Sequence, residues 1–258
     1  MKKSKDFISK RQQFILNELK EKHTIKTDDL ANSLNVSPIT IRRDLQFFEE
    51  EGLVERFYGG AKLVNYSLNE DENINNTYEE ELTVKKSLAK YAASLIEDGD
   101  TIFINSSSTA IQILEFIEDK HVTVITNNGN ALLSIKNPCI ELILTGGEVN
   151  KRKKCMVGDY AINILSKITA DKCFLGVSGI SSKSGLSTSI LQETAINTLM
   201  LKRCNGPTII LADSTKVGKD HNFIIGELNR VSYIITTSEA DITEINRFKE
   251  KNINVVQI

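Results

Sequence analysis

The stretch "NVSPITIRRDLQFFEEEG", residues 35 to 52, sets two arginines side by side at Arg42 and Arg43. A guanidinium is a planar fork of donors that matches the O6 and N7 of guanine, or a phosphate. On a solvated helix face the same groups would merely pair with Asp44 or Glu49. What separates the two uses is the face on which they fall. Ser37 can accept free amide hydrogens as an N-cap, and Pro38 suits the first helical position, where a missing N–H costs nothing. A helix therefore begins there. Within it Ile41, Leu45 and Phe48 recur at i, i+4 and i+7 and must pack on other helices. Ile39, Thr40, Arg42, Arg43 and Gln46 are left pointing outward, near the end that a recognition helix presents to base edges in the major groove. Downstream, "GLVERFYGGAKLV" alternates apolar and polar residues around Gly59-Gly60. That predicts a two-stranded wing with a tight turn, carrying Arg56 and Lys62 toward a phosphate backbone.

A second set of candidates lies in the remainder of the chain. The runs "TIFIN", "VTVIT", "IELILTGG", "CFLGVSG", "TIILAD" and "SYIITT" are short, apolar and β-branched, and helical patterns separate most of them. This predicts an α/β fold with a largely parallel sheet covered by helices on both faces. Ligands of such sheets bind beyond the carboxyl ends of the strands. The residues there are Asn105, Ser106, Ser107, Ser108 and Thr109; Asn127; Gly146, Gly147 and Arg152; Ser178 and Gly179; and Asp213 and Lys216. Hydroxyls, amides, glycines and cations suit an anionic, hydroxylated small molecule. A helix expected from about Thr109 would aim its positive end and the serine amides at a phosphate, with Arg152 and Lys216 as charge partners. Serine-rich segments are also good turns and caps, but five polar loops at strand ends favour binding. No G-x-G-x-x-G follows the first strand and there is no Walker A motif, so no nucleotide cofactor is expected.

The elements that must position the arginines are legible upstream. Phe14, Ile15 and Leu19 recur at helical spacing, giving a helix over about residues 9 to 22. "TIKT" reads as a short extended piece. Thr27 is expected to cap a second helix, "DDLANSLN", that buries Leu30, Ala31 and Leu34. Two short helices separated by "NVS" form a helix-turn-helix pattern. Residues 1–65 carry 12 Lys plus Arg against 10 Asp plus Glu, although the whole chain is at −2, so a protein that coats nucleic acid everywhere is excluded. Residues 66–81, "YSLNEDENINNTYEEE", hold six acids and no base and read as a solvated linker, leaving 82–258 as the second domain. The four cysteines show no C-x-x-C pairing and are expected buried and reduced. The three histidines lie far apart, so no metal site is expected. Neither a membrane span nor a signal-peptide core is visible, which predicts a cytoplasmic protein with no membrane partner.

"ELKEKHTIKTDDLANSLNVSPITIRRDLQFFEEEGLVERFYGGA" resembles the N-terminal winged helix of the DeoR family of bacterial sugar-metabolism regulators. The resemblance implies that Thr40, Arg42 and Arg43 read DNA. Tyr58 stands where family members commonly have histidine before the two glycines. "AASLIEDGDTIFINSSST", "VTVITNN", "LILTGGEV", "FLGVSGISSKSGLST" and "LADSTKVGK" follow in the order of the family's sensor domain. That domain's fold is similar to ribose-5-phosphate isomerase, and it binds phosphorylated sugars or polyols. The family pattern Asp-x-Gly-Thr-Thr appears here with Asn105, Ser107 and Ser108 in place of the acid, the glycine and the first threonine.

The expected function is a transcriptional regulator, a repressor of a sugar or polyol operon. It would bind double-stranded operator DNA as a homodimer or homotetramer, because one winged helix covers one half-site. The competing expectation is a sugar-phosphate isomerase with an accessory N-terminal domain. Such an enzyme needs a carboxylate to move a proton between carbons. The stretch from Lys172 to Gln192 contains no Asp or Glu, so no catalytic activity is expected.

Overall fold

The computed structural model describes residues 2–50, 53–57, 59–63, 72–151 and 153–258. The chain divides into two compact units. In the first, α1 (Lys2–Lys22), β1 (Thr24–Lys26), α2 (Thr27–Ser33) and α3 (Pro38–Glu50) precede a hairpin of β2 (Val54–Phe57) and β3 (Gly60–Leu63). Local chemistry sets the turn between α2 and α3. Asn35, just past the C-cap Leu34, takes the left-handed conformation with φ of 49° and ends α2. Ser37 Oγ then accepts the Thr40 amide at 3.3 Å, and Pro38 opens α3. Ile41, Leu45 and Phe48 are buried against Ile15, Leu19, Leu30 and Ala31, with Ile25, Val54 and Ala61 of the sheet closing the core.

Three expectations change here. Phe14 is 40% exposed, because Ile15 and Leu19 already occupy the inward stripe of α1 and Phe14 lies about 100° round the helix from Ile15. Thr27 does not cap α2; it is the first helical residue, and its amide donates to the Gly59 carbonyl at 2.8 Å. The wing therefore has three strands, in the order β1-β3-β2. Gly60 is where they meet: a Cβ there would lie 2.2 Å from the Ile25 carbonyl oxygen, so only glycine fits.

The second unit opens with α4 (Glu72–Ser94), followed by β4 (Thr101–Ile104), β5 (Val122–Thr126), α5 (Ala131–Ser134), β6 (Ile140–Leu144) and a hairpin of β7 (Glu148–Asn150) and β8 (Cys155–Val157). Then come α6 (Asp159–Ser166), β9 (Lys172–Gly176), β10 (Gly179–Ser181), β11 (Gly185–Thr188), α7 (Leu191–Arg203), β12 (Thr208–Leu211), β13 (Phe223–Gly226), β14 (Tyr233–Thr236), α8 (Ile242–Glu250) and β15 (Asn254–Gln257). Seven strands form one sheet in the order β15-β14-β12-β9-β4-β5-β6, and every pairing is parallel. Six of these strands are the six predicted runs; β15 is an addition at one edge. β10, β11 and β13 make a separate antiparallel sheet.

Alternation along the strands builds two cores. Ile102, Ile104, Val124, Phe174 and Ile209 pack on one face with Leu88, Ala89 and Ala92 of α4. Phe103, Ile125, Leu175 and Ile210 pack on the other with Ala161 and Leu165 of α6, Ile196 and Met200 of α7, and Phe248 of α8. Full burial of each large side chain contributes about 1.5–3 kcal/mol.

Of the expected linker, residues 66–71 lie outside the described residues, and from Glu72 the acidic stretch is helical. Glutamate is a good helix former, and Glu81 pairs with Lys85 one turn on, at 2.6 Å. The helix expected from Thr109 is instead a 3-10 segment, Ala110–Glu115, whose first amides are held by Ser107 Oγ. Cys155 and Cys173 are buried and Cys204 half-buried, but Cys139 is exposed. Burial pushes the Cys173 thiol well up from its ordinary pKa. Among the described residues no helix is long and apolar enough to cross a membrane.

Candidate functional site

In the first unit, Asp44 and Glu49, the two acids weighed as partners for the outward arginines, are occupied by other arginines. Asp44 is 4% exposed, on the inner side of α3, and is gripped from α1 by Arg11 Nε at 2.6 Å and Nη2 at 3.1 Å. This hydrogen bond raises the Arg11 pKa above its ordinary value. Glu49 Oε2 accepts Arg56 Nε at 2.9 Å. Arg42 and Arg43 are exposed, with no hydrogen bond or ion pair among the described residues. Ile39 and Gln46 are exposed beside them, while the Ser37 and Thr40 hydroxyls share a 2.9 Å bond. A cleft of about 730 Å³ runs between α3 and the wing, lined in part by Arg42, Glu49, Arg56 and Phe57. Among the described residues Arg56 gives Glu49 its Nε, so its Nη donors can still meet a phosphate, and leaving the pair altogether costs about 0–1 kcal/mol. Lys62 is exposed on β3, and Tyr58 lies outside the described residues.

In the second unit, β4 leads on to β5 and β6 in one direction, while β9, β12, β14 and β15 extend in the other. The strand order therefore reverses between β4 and β9. The crevice beyond the carboxyl ends at such a reversal is the general ligand position of open parallel sheets. The five predicted loops follow β4, β5, β6, β9 and β12, which are consecutive in the sheet. Several loops touch directly: Asn128 Nδ2 donates to the Ser107 carbonyl at 3.3 Å, and a Cβ on Gly176 would lie 1.9 Å from Ser107 Oγ.

The candidate residues divide by what their polar atoms already do. Asn105 is 2% exposed and saturated. Its Nδ2 donates to the Gly176 carbonyl at 2.8 Å and to Asn197 Oδ1 at 3.1 Å, and its Oδ1 accepts the amides of Gly176 and Ser107 at 3.1 and 3.3 Å. It orders the loop and has no atom left for a ligand. Asn127 is fully buried and ties β5 to β8 through the Met156 carbonyl at 3.0 Å. Gly147, with φ of 115°, allows close passage of the Val157 carbonyl, which a Cβ would meet at 2.6 Å. Gly146 also has a positive φ, of 65°. Gly179 likewise lets Lys219 pass, its carbonyl 2.4 Å from where a Cβ would stand. Ser178 is half-buried, 3.4 Å from the Thr188 hydroxyl. Asp213 caps Thr215 through its amide at 2.9 Å and meets Lys216 only at 3.9 Å. Arg152 lies outside the described residues. Ser108 is exposed and Thr109 half-buried, and their hydroxyls carry no hydrogen bond among the described residues.

One residue at this edge escaped the sequence reading. Glu193, 9% exposed in the first turn of α7, accepts the Ser106 hydroxyl at 3.2 Å and the Thr188 hydroxyl at 3.1 Å. The acid-free interval ending at Gln192 stops one residue short of it, so that interval gives no ground for excluding proton transfer. Its signal was the position itself: Glu193 stands three residues after the cap Ile190, where a glutamate turns back toward the preceding loop. His221 also reaches the edge, with Nε2 3.1 Å from the Ser178 carbonyl.

The saturation of Asn105 gives a direct test. Asn105→Asp would set a carboxylate oxygen against the Gly176 carbonyl and Asn197 Oδ1, both now receiving hydrogen bonds. We expect a loss of about 2 kcal/mol at neutral pH. Burial and the two facing acceptors raise the folded pKa of the introduced acid above the unfolded value of about 3.9. The deficit therefore grows as pH rises from the unfolded pKa through the folded one, and shrinks in acid. Thermal unfolding of both proteins at pH 4.5 and 7.5 measures it; an equal deficit at both values would show that the site accepts the charge.

Comparison with known proteins agrees with both halves of this geometry. Residues 11–66 match the DeoR-like helix-turn-helix domain, and residues 80–238 match the DeoR C terminal sensor domain. The chain is 31% identical over 251 residues to the HTH-type transcriptional regulator GolR of Listeria innocua, covering 96% of this chain and 98% of that one. It is also 31% identical to the lactose phosphotransferase system repressor of Staphylococcus aureus, over 85% of this chain and 88% of the relative. Among solved structures, ribose 5-phosphate isomerase A from Methanocaldococcus jannaschii aligns at a TM-score of 0.39 and 19% identity, over 53% of this chain and 54% of that one, a likeness of part of the fold alone. With an unpaired arginine face on a winged helix, a parallel-sheet domain in the second unit and a sensor-domain match spanning most of the chain, this protein belongs to the DeoR family of transcriptional regulators.

Proposed function

We propose that the protein is a repressor of a sugar or polyol operon whose hold on its operator is set by a phosphorylated sugar or polyol bound at the carboxyl edge of the parallel sheet. The observation that carries the ligand half is the pair of unpartnered hydroxyls, Ser108 and Thr109, on the loop where the strand order reverses. The hydroxyls there suit a phosphate dianion. The short 3-10 segment behind them adds less dipole than an α-helix, and the Thr109 and Ala110 amides are held by Ser107 Oγ, so the two hydroxyls carry the binding. Lys216, whose side chain is 41% exposed, 3.1 Å from the Thr215 hydroxyl and 3.9 Å from Asp213, is the proposed charge partner from the loop after β12. The lactose phosphotransferase system repressor among the relatives supports the carbohydrate context. Paired winged helices, and hence a homodimer or homotetramer, follow from one winged helix covering one half-site; a cytoplasmic location belongs to the same reading, as the place of the operator DNA.

Ser108→Asp places a negative charge at the proposed phosphate position. It is expected to abolish the response to effector while leaving operator binding largely intact. Operator binding by the full chain, titrated with a panel of pentose and hexose phosphates, measures both properties. A variant that responds at wild-type concentrations would place the phosphate elsewhere. Glu193 is the group the competing isomerase reading would use, and the same panel tests it: interconversion of any sugar phosphate, lost in Glu193→Gln, would replace the sensor reading.

A further inference from the structure

Ile39 is 61% exposed at the start of α3, where the outward neighbours are polar; the other exposed apolar side chain of the helix, Phe47, lies two turns further on. It precedes Arg42, Arg43 and Gln46 by three, four and seven residues, so all four side chains share one face of α3, opposite the buried Ile41, Leu45 and Phe48. It is also the residue of that face nearest the helix N-terminus, the part of a recognition helix that goes deepest into the major groove. Among the described residues this β-branched hydrocarbon belongs to no apolar cluster of its unit, and Arg42, Arg43 and Gln46 beside it are donors. In the major groove only thymine presents an apolar group, its C5-methyl.

We infer that Ile39 is a specificity-determining residue that packs on a thymine C5-methyl in each operator half-site, beside the base edges or phosphates held by Arg42 and Arg43. The inference rests on the reading of this helix as the DNA-reading element and adds one base preference to it. Arginine supplies charge-assisted grip, which is largely indifferent to pyrimidine methylation. Ile39 supplies contact with the methyl group alone.

The experiment begins with the full-length protein and a random-sequence duplex library, from which bound sequences are enriched. In the enriched half-site each thymine is then replaced singly by deoxyuridine, which removes one methyl group and keeps every hydrogen-bonding group. One position is expected to bind about three- to fivefold more weakly per half-site, the equivalent of exposing one methyl group. Ile39→Ala should bind the thymine operator more weakly by a similar factor and no longer distinguish uracil from thymine at that position. Because Ile39 is exposed, the variant should unfold at the wild-type temperature. Ile39→Gln, able to grip adenine N6 and N7, should change the base enriched at that position. If every uracil replacement is neutral, or if Ile39→Ala still prefers thymine at that position, the inference fails while the DNA-reading assignment stands. If no sequence is enriched by the wild-type protein, both fail together.

Discussion

Replacing Asp44 with alanine is expected to lower the local stability of the winged helix by about 3–5 kcal/mol, the cost of stripping one partner from a buried ion pair. The Arg11 and Asp44 side chains are only 12% and 6% exposed, so solvent cannot take over from the lost carboxylate. The two-pronged grip at 2.6 and 3.1 Å pins α3 to α1, and with it the angle at which Arg42 and Arg43 are held out. Hydrogen exchange of residues 10–50 in the full chain measures the effect, through faster exchange of the α1 and α3 amides. The double variant Arg11→Met with Asp44→Leu should recover most of the loss, because an apolar pair of similar volume avoids both desolvation costs. Unchanged protection in Asp44→Ala would mean that the pair contributes nothing and that apolar packing alone sets the helix.

Arg43→Ala is expected to weaken operator binding by about 1–3 kcal/mol for each half-site while leaving the unfolding temperature unchanged. The salt dependence assigns the contact. A base-reading arginine lowers affinity for the operator more than for random DNA and leaves the slope of affinity against salt nearly unchanged. A phosphate-contacting one lowers both affinities equally and reduces the slope by about one. Arg56, already paired with Glu49, is expected to behave in the second way. Operator affinity equal to wild type at fixed salt would remove Arg43 from the reading face.

The winged helix was almost entirely legible because its signals are local. Ser37-Pro38, the Ile41-Leu45-Phe48 stripe and the Gly59-Gly60 turn each specify geometry within a few residues. The errors there came from choices between neighbours: Phe14 against Ile15 for the inward stripe, and the Thr27 hydroxyl against a carbonyl from the distant Gly59. In the sheet, five central strands and the edge strand β6 were visible as apolar β-branched runs, since strands covered on both faces must be apolar throughout and β6 keeps the same composition. β15 was not, because "NVVQ" holds only two apolar residues where the other edge strand, β6, holds four in "IELIL". Glu193 was missed for a different reason. Strand-end loops can be collected from sequence, and Glu193 has a local signal in its place after Ile190, but its contact with the Ser106 hydroxyl, 87 residues away, comes only from the tertiary fold. The saturation of Asn105 by Gly176 and Asn197, 71 and 92 residues away, was illegible for the same reason.

β4 and β9 lie side by side at the centre of the sheet, yet their facing residues Thr101 and Asp171 are 70 positions apart in the chain. Closing such a long loop costs entropy before any pairing returns it, so this junction is slow to form and late to complete during synthesis. The edge that carries Ser107 against Gly176 cannot exist until β9 has docked. A nascent chain shorter than about 176 residues thus carries a finished winged helix and an unfinished sheet edge, so the helix that presents Arg42 and Arg43 is made before the loops proposed to sense a ligand.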